Sequence, residues 1–270
     1  PEMSRGLGDV YKRQYQTLPR RPLEKRKLRY EDVYPVLYLK YRLSRQAERS
    51  NIKHLVIDEM QDYSRLQYLI IRRMFSCKMT ILGDRAQTMA DQQQDVLQFL
   101  PGIFGKDLRR IEMRKSYRNT VEIASYAANL IGVTDLELFE RHGMPVLERD
   151  VTDLEAALRE AVDTLFSDEK TYETAAVIVP DEKTAERAYL ILREILAEKD
   201  FDCGKRLSWL NRDSSSFKKG LTVTTFYLAK GLEFDQVFSI FPKDEKREIM
   251  MQAQYIAATR ALHELRVYHI

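Results

Sequence analysis

With 270 residues, 44% hydrophobic and 31% charged, the chain has the composition of a soluble globular protein of one or two domains. A net charge of +3 is too small to argue for nucleic-acid binding by charge alone, and the basic run Arg20–Arg29 reads as a solvated face. No apolar stretch reaches transmembrane length, no secretory signal opens the chain, and Cys77 and Cys203 lack metal or CxxC spacing, which argues for a reducing, cytoplasmic setting.

In chain order, Asp9–Gln14, DVYKRQ, is what one frame of a common sequencing-transposon end encodes. Residues 1–14 are therefore expected to be a library scar, with native sequence from about Tyr15, the alternative being a short natural tail. Tyr34–Ala47 has amphipathic helical spacing, with Pro35 tolerable in a first turn, and feeds a strand at His54–Ile57. A helix over Leu66–Phe75 and a strand over Met79–Leu82 follow, the latter ending at Gly83-Asp84. Residues 85–101, with DQQQD and Pro101, suit a connection. A second set starts after Gly105 with a strand at Leu108–Met113 and a helix at Val121–Ile131. Helices at Asp153–Phe166 and Lys183–Ala197 flank a strand at Ala175–Val179, and Asp213–Gly220 is a loop. Strands at Leu221–Phe226 and Gln236–Phe241, a helix at Arg247–Leu262 and a strand at Glu264–His269 complete the chain. The alternation predicts an α/β fold with a parallel sheet and crossover helices.

The segment richest in chemistry is His54–Ser64, HLVIDEMQDYS. A buried strand that ends in paired carboxylates presents them at the carboxyl edge of a parallel sheet, where α/β proteins bind ligands. One acid there can hold Mg²⁺ while its neighbour orients an attacking water. The alternative is a charged turn capping a strand; Gln61-Asp62, just downstream, favours a site. A Gly-rich loop ending in Gly-Lys-Ser/Thr, the usual partner of such an acid pair, does not occur in these residues.

Further segments follow in order: ILGDRAQT at Ile81–Thr88, RKSYRNT at Arg114–Thr120, TVTTFYLAKGLEFDQV at Thr222–Val237 and QYIAATRAL at Gln254–Leu262. With DEMQD they resemble motifs II to VI of superfamily 1 helicases of the UvrD/Rep type, whose pattern runs DExQD, GDxxQ, YR, KGLEFDxV and YVAxTRA. Any one of these is a weak signal; the ordered set, across roughly residues 50–268, is a specific one.

The resemblance implies a RecA-like P-loop NTPase motor using ATP and Mg²⁺, and it gives residues roles. Asp58 matches the Mg²⁺ ligand, Glu59 the activator of the hydrolytic water, and Gln87 the glutamine that senses the γ-phosphate. Arg118 and Arg260 match the arginines set against the γ-phosphate, a position worth about 10³–10⁵ in rate. Glu233 matches the acid that holds the ribose, Tyr117 the aromatic near the base, and Gly231 a turn that suits glycine. The competing readings are a surface amide for Gln87, salt-bridge partners for the arginines, core packing for Tyr117 and a Gly-turn carboxylate for Glu233.

By the same resemblance, residues 15–103 would be the end of a first RecA-like domain, partial and so marginally stable, and residues 104–270 a nearly complete second one. ATP would lie between two such lobes in the intact parent, which would translocate on single-stranded DNA. The chain alone, without the phosphate loop, is expected to show no ATP turnover. Two features depart from the common pattern: Thr88-Met89-Ala90-Asp91 replaces an aromatic base-stacking stretch, and Tyr227 stands where a histidine is usual. KHLVIDE and TILGD are closer to the HelD/helicase IV branch, which leaves RNA polymerase as an alternative partner and a non-catalytic docking module as a further one.

Overall fold

The computed structural model describes residues 28–43, 49, 51–84, 87, 95–105, 108–134, 137–167, 172–199, 206–214, 219–243 and 248–270. The expected scar, most of the basic run and the Thr88–Asp91 departure lie outside these residues. The chain divides into two compact units, Pro1–Gly83 with Gln94–Leu108, and Asp84–Gln93 with Arg109–Ile270. Among the described residues no helix is long and apolar enough to cross a membrane.

The first unit holds α1 (Tyr30–Leu43), β1 (His54–Ile57), a 3₁₀ turn (Met60–Asp62), α2 (Arg65–Met74), β2 (Lys78–Ile81) and α3 (Val96–Phe104). β1 and β2 pair in parallel from His54–Lys78 to Ile57–Ile81. Ser64 starts α2 with a reciprocal capping box to Gln67, which satisfies two N-terminal donors. The small core joins Ile57, Tyr68, Val96 and Leu100. Tyr68 is the hub: its ring meets Phe99 and Phe104 edgewise or tilted, and its hydroxyl donates to the Met60 carbonyl at 3.0 Å. α1 starts a turn earlier than the sequence suggests and buries none of its side chains, leaving Pro35 inside the helix.

The second unit is built on a six-stranded, wholly parallel sheet. Its strands are β5 (Leu147–Asp150), β6 (Thr174–Val179), β7 (Leu207–Trp209), β8 (Gly220–Thr225), β9 (Phe234–Phe241) and β10 (Ala261–His269), in the order β5-β10-β9-β6-β8-β7. A separate parallel pair, β3 (Lys115–Ser116) and β4 (Glu137–Leu138), lies upstream in the chain. Among the described residues its helices include α4 (Val121–Leu130), α5 (Leu154–Ser167), α6 (Glu182–Ala197) and α7 (Glu248–Thr259). β6, TAAVIV, shows why the run has no polar alternation. Ala175, Val177 and Val179 pack with α5 and α6, whereas Ala176 and Ile178 pack with α4 and α7. Both faces are covered, so each such side chain contributes burial energy, about 1.5–3 kcal/mol for a Val or Ile. The α/β class and the parallel sheet are as the sequence predicts.

Three expectations need correcting. Leu108–Met113 is not a strand: its apolar residues alternate with Arg109, Glu112 and Arg114, Ile111 and Met113 are almost fully exposed, and the strand begins only at Lys115. The connection drawn to residue 101 ends earlier, because Asp95 accepts from the Leu97 N–H and starts α3, which tolerates Pro101 within it. The last helix stops at Thr259 and not Leu262. There the Thr259 hydroxyl donates to the Ile256 carbonyl, and Arg260 leads directly into β10. The short strands β3, β4 and β7 carry too few residues to show a period, and β5, LERD, has one apolar residue followed by three charged ones.

Candidate functional site

In the first unit Asp58 and Glu59 follow directly on β1. Asp58 is exposed and its Oδ1 accepts the Glu59 N–H at 2.8 Å. Glu59 has φ 52°, ψ 52°, the one non-glycine residue with positive φ among those described. Such a left-handed residue costs about 1–3 kcal/mol and persists only where its surroundings hold it. Here the Gln61 amide donates to Glu59 Oε2 at 2.6 Å, and the Met60 N–H reaches the Leu82 carbonyl at 2.8 Å. Gly83 allows this approach: a Cβ there would lie 2.5 Å from Gln61 Oε1 and 2.6 Å from the Met60 nitrogen. The GD of ILGD is thus, in part, a space requirement beneath the acidic turn.

The second unit brings four of the sequence-predicted residues together in two pairs. Arg118 Nε meets Glu233 Oε1 at 2.8 Å, with the side chains 46% and 43% exposed. Arg118 sits just ahead of α4, whose N-cap is Thr120, and Glu233 just ahead of β9. Arg260, at the α7–β10 junction, is 1% exposed. Its guanidinium donates to the Ile256 and Leu232 carbonyls at 3.2 and 3.4 Å, to the Thr259 hydroxyl at 3.1 Å, and to Gln87 Oε1 at 3.2 Å. A buried guanidinium requires such acceptors, since its unpaired burial is prohibitive. Gly231 turns the chain between β8 and β9 at φ 83°, and Tyr117 is exposed. Asp58 and Glu59 lie in the other unit.

Several supporting residues escaped the sequence reading. Asn119 is 7% exposed and donates to the carbonyls on either side of Arg260, Thr259 at 3.2 Å and Ala261 at 2.6 Å. Arg141 donates to the Arg118 carbonyl and, at 2.7 Å, to that of Leu262. The Arg118 and Arg260 segments are therefore stapled together by two side chains. Asp84 accepts from the Gln87 amide and from the Tyr255 hydroxyl, both at 3.0 Å. Burial, and then the Asp84 carboxylate, push the Tyr255 hydroxyl well above its ordinary range, so it remains a donor. The adjacency of Asn119 to Arg118 was the only available signal. A cavity of about 450 Å³ in this unit is lined by Thr120, Arg141, His142, Tyr172, Asp235 and His263 among others, and includes none of the residues predicted from sequence.

Among the described residues no cluster of three or more His, Cys, Asp or Glu is arranged to hold a metal. Asp58, an exposed carboxylate at a strand end, fits the mode in which Mg²⁺ takes one protein oxygen and fills its other positions with water and phosphate. The half-exposed Arg118–Glu233 pair offers a cation for phosphate and a carboxylate for hydroxyl groups.

Residues 9–89 match the family model of the UvrD/REP helicase N-terminal domain. The matched stretch contains Asp58, Glu59 and Gln87. Among curated proteins none matches the chain. Solved structures that resemble it include the C-terminal domain of a possible DNA helicase from Lactobacillus plantarum WCFS1, at 24% identity and TM-score 0.45, covering 57% of this chain and 88% of that one. The PRRSV helicase aligns at 16% identity and TM-score 0.41, over 80% of this chain and 35% of its own. Arterivirus nonstructural protein 10, a helicase solved with DNA, aligns at 15% and TM-score 0.42, over 80% and 39%. The chain thus spans little more than a third of these two viral proteins.

Proposed function

We propose that the chain is the nucleotide-handling part of a UvrD/REP-type superfamily 1 motor, which couples ATP hydrolysis to movement on single-stranded nucleic acid. The observation that carries the reading is the pairing of Gln87 with Arg260 and of Arg118 with Glu233, residues singled out by motif and distant in sequence. The family match over residues 9–89 supports it independently. Mg²⁺–ATP, when bound, supplies the phosphoanhydride and the cation that screens it.

In this reading Asp58 would hold the cation, directly or through water, and Glu59 would accept the proton of the attacking water at a carboxylate oxygen. The left-handed turn and the Gln61 hydrogen bond fix where that oxygen points. Arg118 leaves Glu233 for phosphate, which frees the carboxylate to accept a ribose hydroxyl. Arg260 exchanges the Gln87 oxygen for phosphate oxygen, so the Gln87–Arg260 bond is a resting contact that nucleotide replaces. A planar guanidinium suits that exchange, since it carries its charge in either state.

A second reading, a motor that acts on RNA polymerase, is favoured by the phrases KHLVIDE and TILGD and by Tyr227 in place of histidine. Response of the ATPase of an intact parent to single-stranded DNA or to polymerase separates the two.

The first test is titration of the chain with a fluorescent ATP analogue, with and without Mg²⁺. The expected result is Mg²⁺-dependent binding that Arg118→Ala weakens roughly 10- to 100-fold, as the loss of a charge-assisted hydrogen bond predicts. Binding indifferent to Mg²⁺ and to Arg118 would sink the reading.

A further inference from the structure

β3 and β4 are two residues each, with Lys115 opposite Glu137 and Ser116 opposite Leu138. The same register continued by one residue brings Tyr117 beside Phe139. Their ring centroids are 5.6 Å apart, tilted by 39°. The Phe139 N–H donates to the Ser116 carbonyl at 3.2 Å, which fixes this approach through the backbone. Strand alternation sets Lys115 on the Tyr117 side, and its ammonium lies 5.6 Å from the Tyr117 centroid and 5.8 Å from that of Phe139. Both rings remain open, Tyr117 59% and Phe139 44% exposed. Core packing does not account for two adjacent aromatic rings half in water on a short, backbone-fixed ladder.

Paired π-faces beside a flexible cation are suited to a planar heteroaromatic ring that carries phosphate: the rings stack the base and the ammonium meets the negative charge. The residue after Tyr117 is Arg118, ion-paired to Glu233. We propose that Phe139, with Lys115, is a base-binding determinant, forming with Tyr117 a stacking platform for the purine of the nucleotide. This rests on the nucleotide reading above. Phe139 lies outside every motif that led to that reading.

The test uses the full chain with three probes: ATP, inorganic tripolyphosphate, and an oligodeoxyadenylate. Phe139→Ala and Phe139→Leu are compared with wild type, the leucine variant keeping apolar bulk without a π-face. Both are expected to weaken ATP roughly 5- to 100-fold, the range for loss of one stacked base, and to leave tripolyphosphate unchanged. Phe139→Tyr should bind ATP as wild type does. Equal weakening of ATP and tripolyphosphate, or unchanged ATP binding, overturns the proposal while leaving the nucleotide reading intact. Weakening of the oligonucleotide alone assigns the rings to a nucleic-acid strand and also overturns it. Failure of wild type to bind either ATP or tripolyphosphate removes both readings together.

Discussion

Asn119→Ala offers the sharpest test of how the Arg260 segment is held. The Asn119 amide is nearly buried and gives one N–H to each carbonyl flanking Arg260, at 3.2 and 2.6 Å. The Thr259 carbonyl belongs to the last turn of α7, where orphaned acceptors need partners. Alanine deletes two neutral hydrogen bonds, worth about 1 kcal/mol each net, and leaves two carbonyls to be rehydrated or stranded. The expected loss is about 2–4 kcal/mol, or roughly 5–15 °C in the melting midpoint of a unit this size. Trp209 is the single tryptophan and stacks on Tyr189 at 6.1 Å in the second unit, so its fluorescence reports that unit's unfolding. Asn119→Asp should be worse than alanine, because it turns acceptors toward acceptors. A loss below about 0.5 kcal/mol for Asn119→Ala would refute the clamp, since it would mean that those carbonyls find equal partners without the amide.

Three other substitutions follow from local geometry. Glu59→Gly should leave the first unit more stable than Glu59→Ala by about 1 kcal/mol, because only glycine takes φ 52° without penalty; thermal melts in which alanine matches or exceeds glycine would contradict the strained turn. Gly83→Ala drives a Cβ into Gln61 and Met60, and should cost about 1–3 kcal/mol, with faster amide exchange at Met60 and Leu82; unchanged exchange would show that the turn has room. Glu122 is the pH case. Burial works to raise its carboxyl pKa, but hydrogen bonds from His142, its own backbone, Gly143 and Thr120 outweigh it and hold the pKa at about 2 instead of 4.5. A depressed carboxyl stabilises the fold above the unfolded value and loses that contribution as pH falls through the folded one. The melting difference between wild type and Glu122→Gln should therefore be full above about pH 4.5 and vanish by about pH 2; a difference that persists at pH 2 would disprove the linkage.

What was legible in sequence follows from where the physics is local. β6 and β9 are buried on both faces, so their apolar runs announce strands without needing an alternation. The acid pair after β1 was visible because the strand ends where the carboxylates begin. β3 and β4 were invisible, since two-residue strands have no period and are defined only by each other. Leu108–Met113 misled because apolar content, without a partner strand, does not make a ladder. The end of α7 was misplaced because Ala261 and Leu262 continue an apolar pattern, while Asn119, 140 residues earlier in sequence than Thr259, donates to the carbonyls at the break. The same distance hides the clamp itself: motif strings name Arg118 and Arg260, but not the side chains that tie them together.

The most direct measurement of the central claim is hydrogen exchange, read residue by residue, with and without a non-hydrolysable Mg²⁺–ATP analogue. The account predicts changed protection at Tyr117–Asn119, around Gly231–Glu233 and at Tyr255–Arg260, where Arg118 leaves Glu233 and Arg260 leaves Gln87. Saturating nucleotide that leaves these segments unchanged, or alters only the Tyr172–His263 cavity, would contradict it.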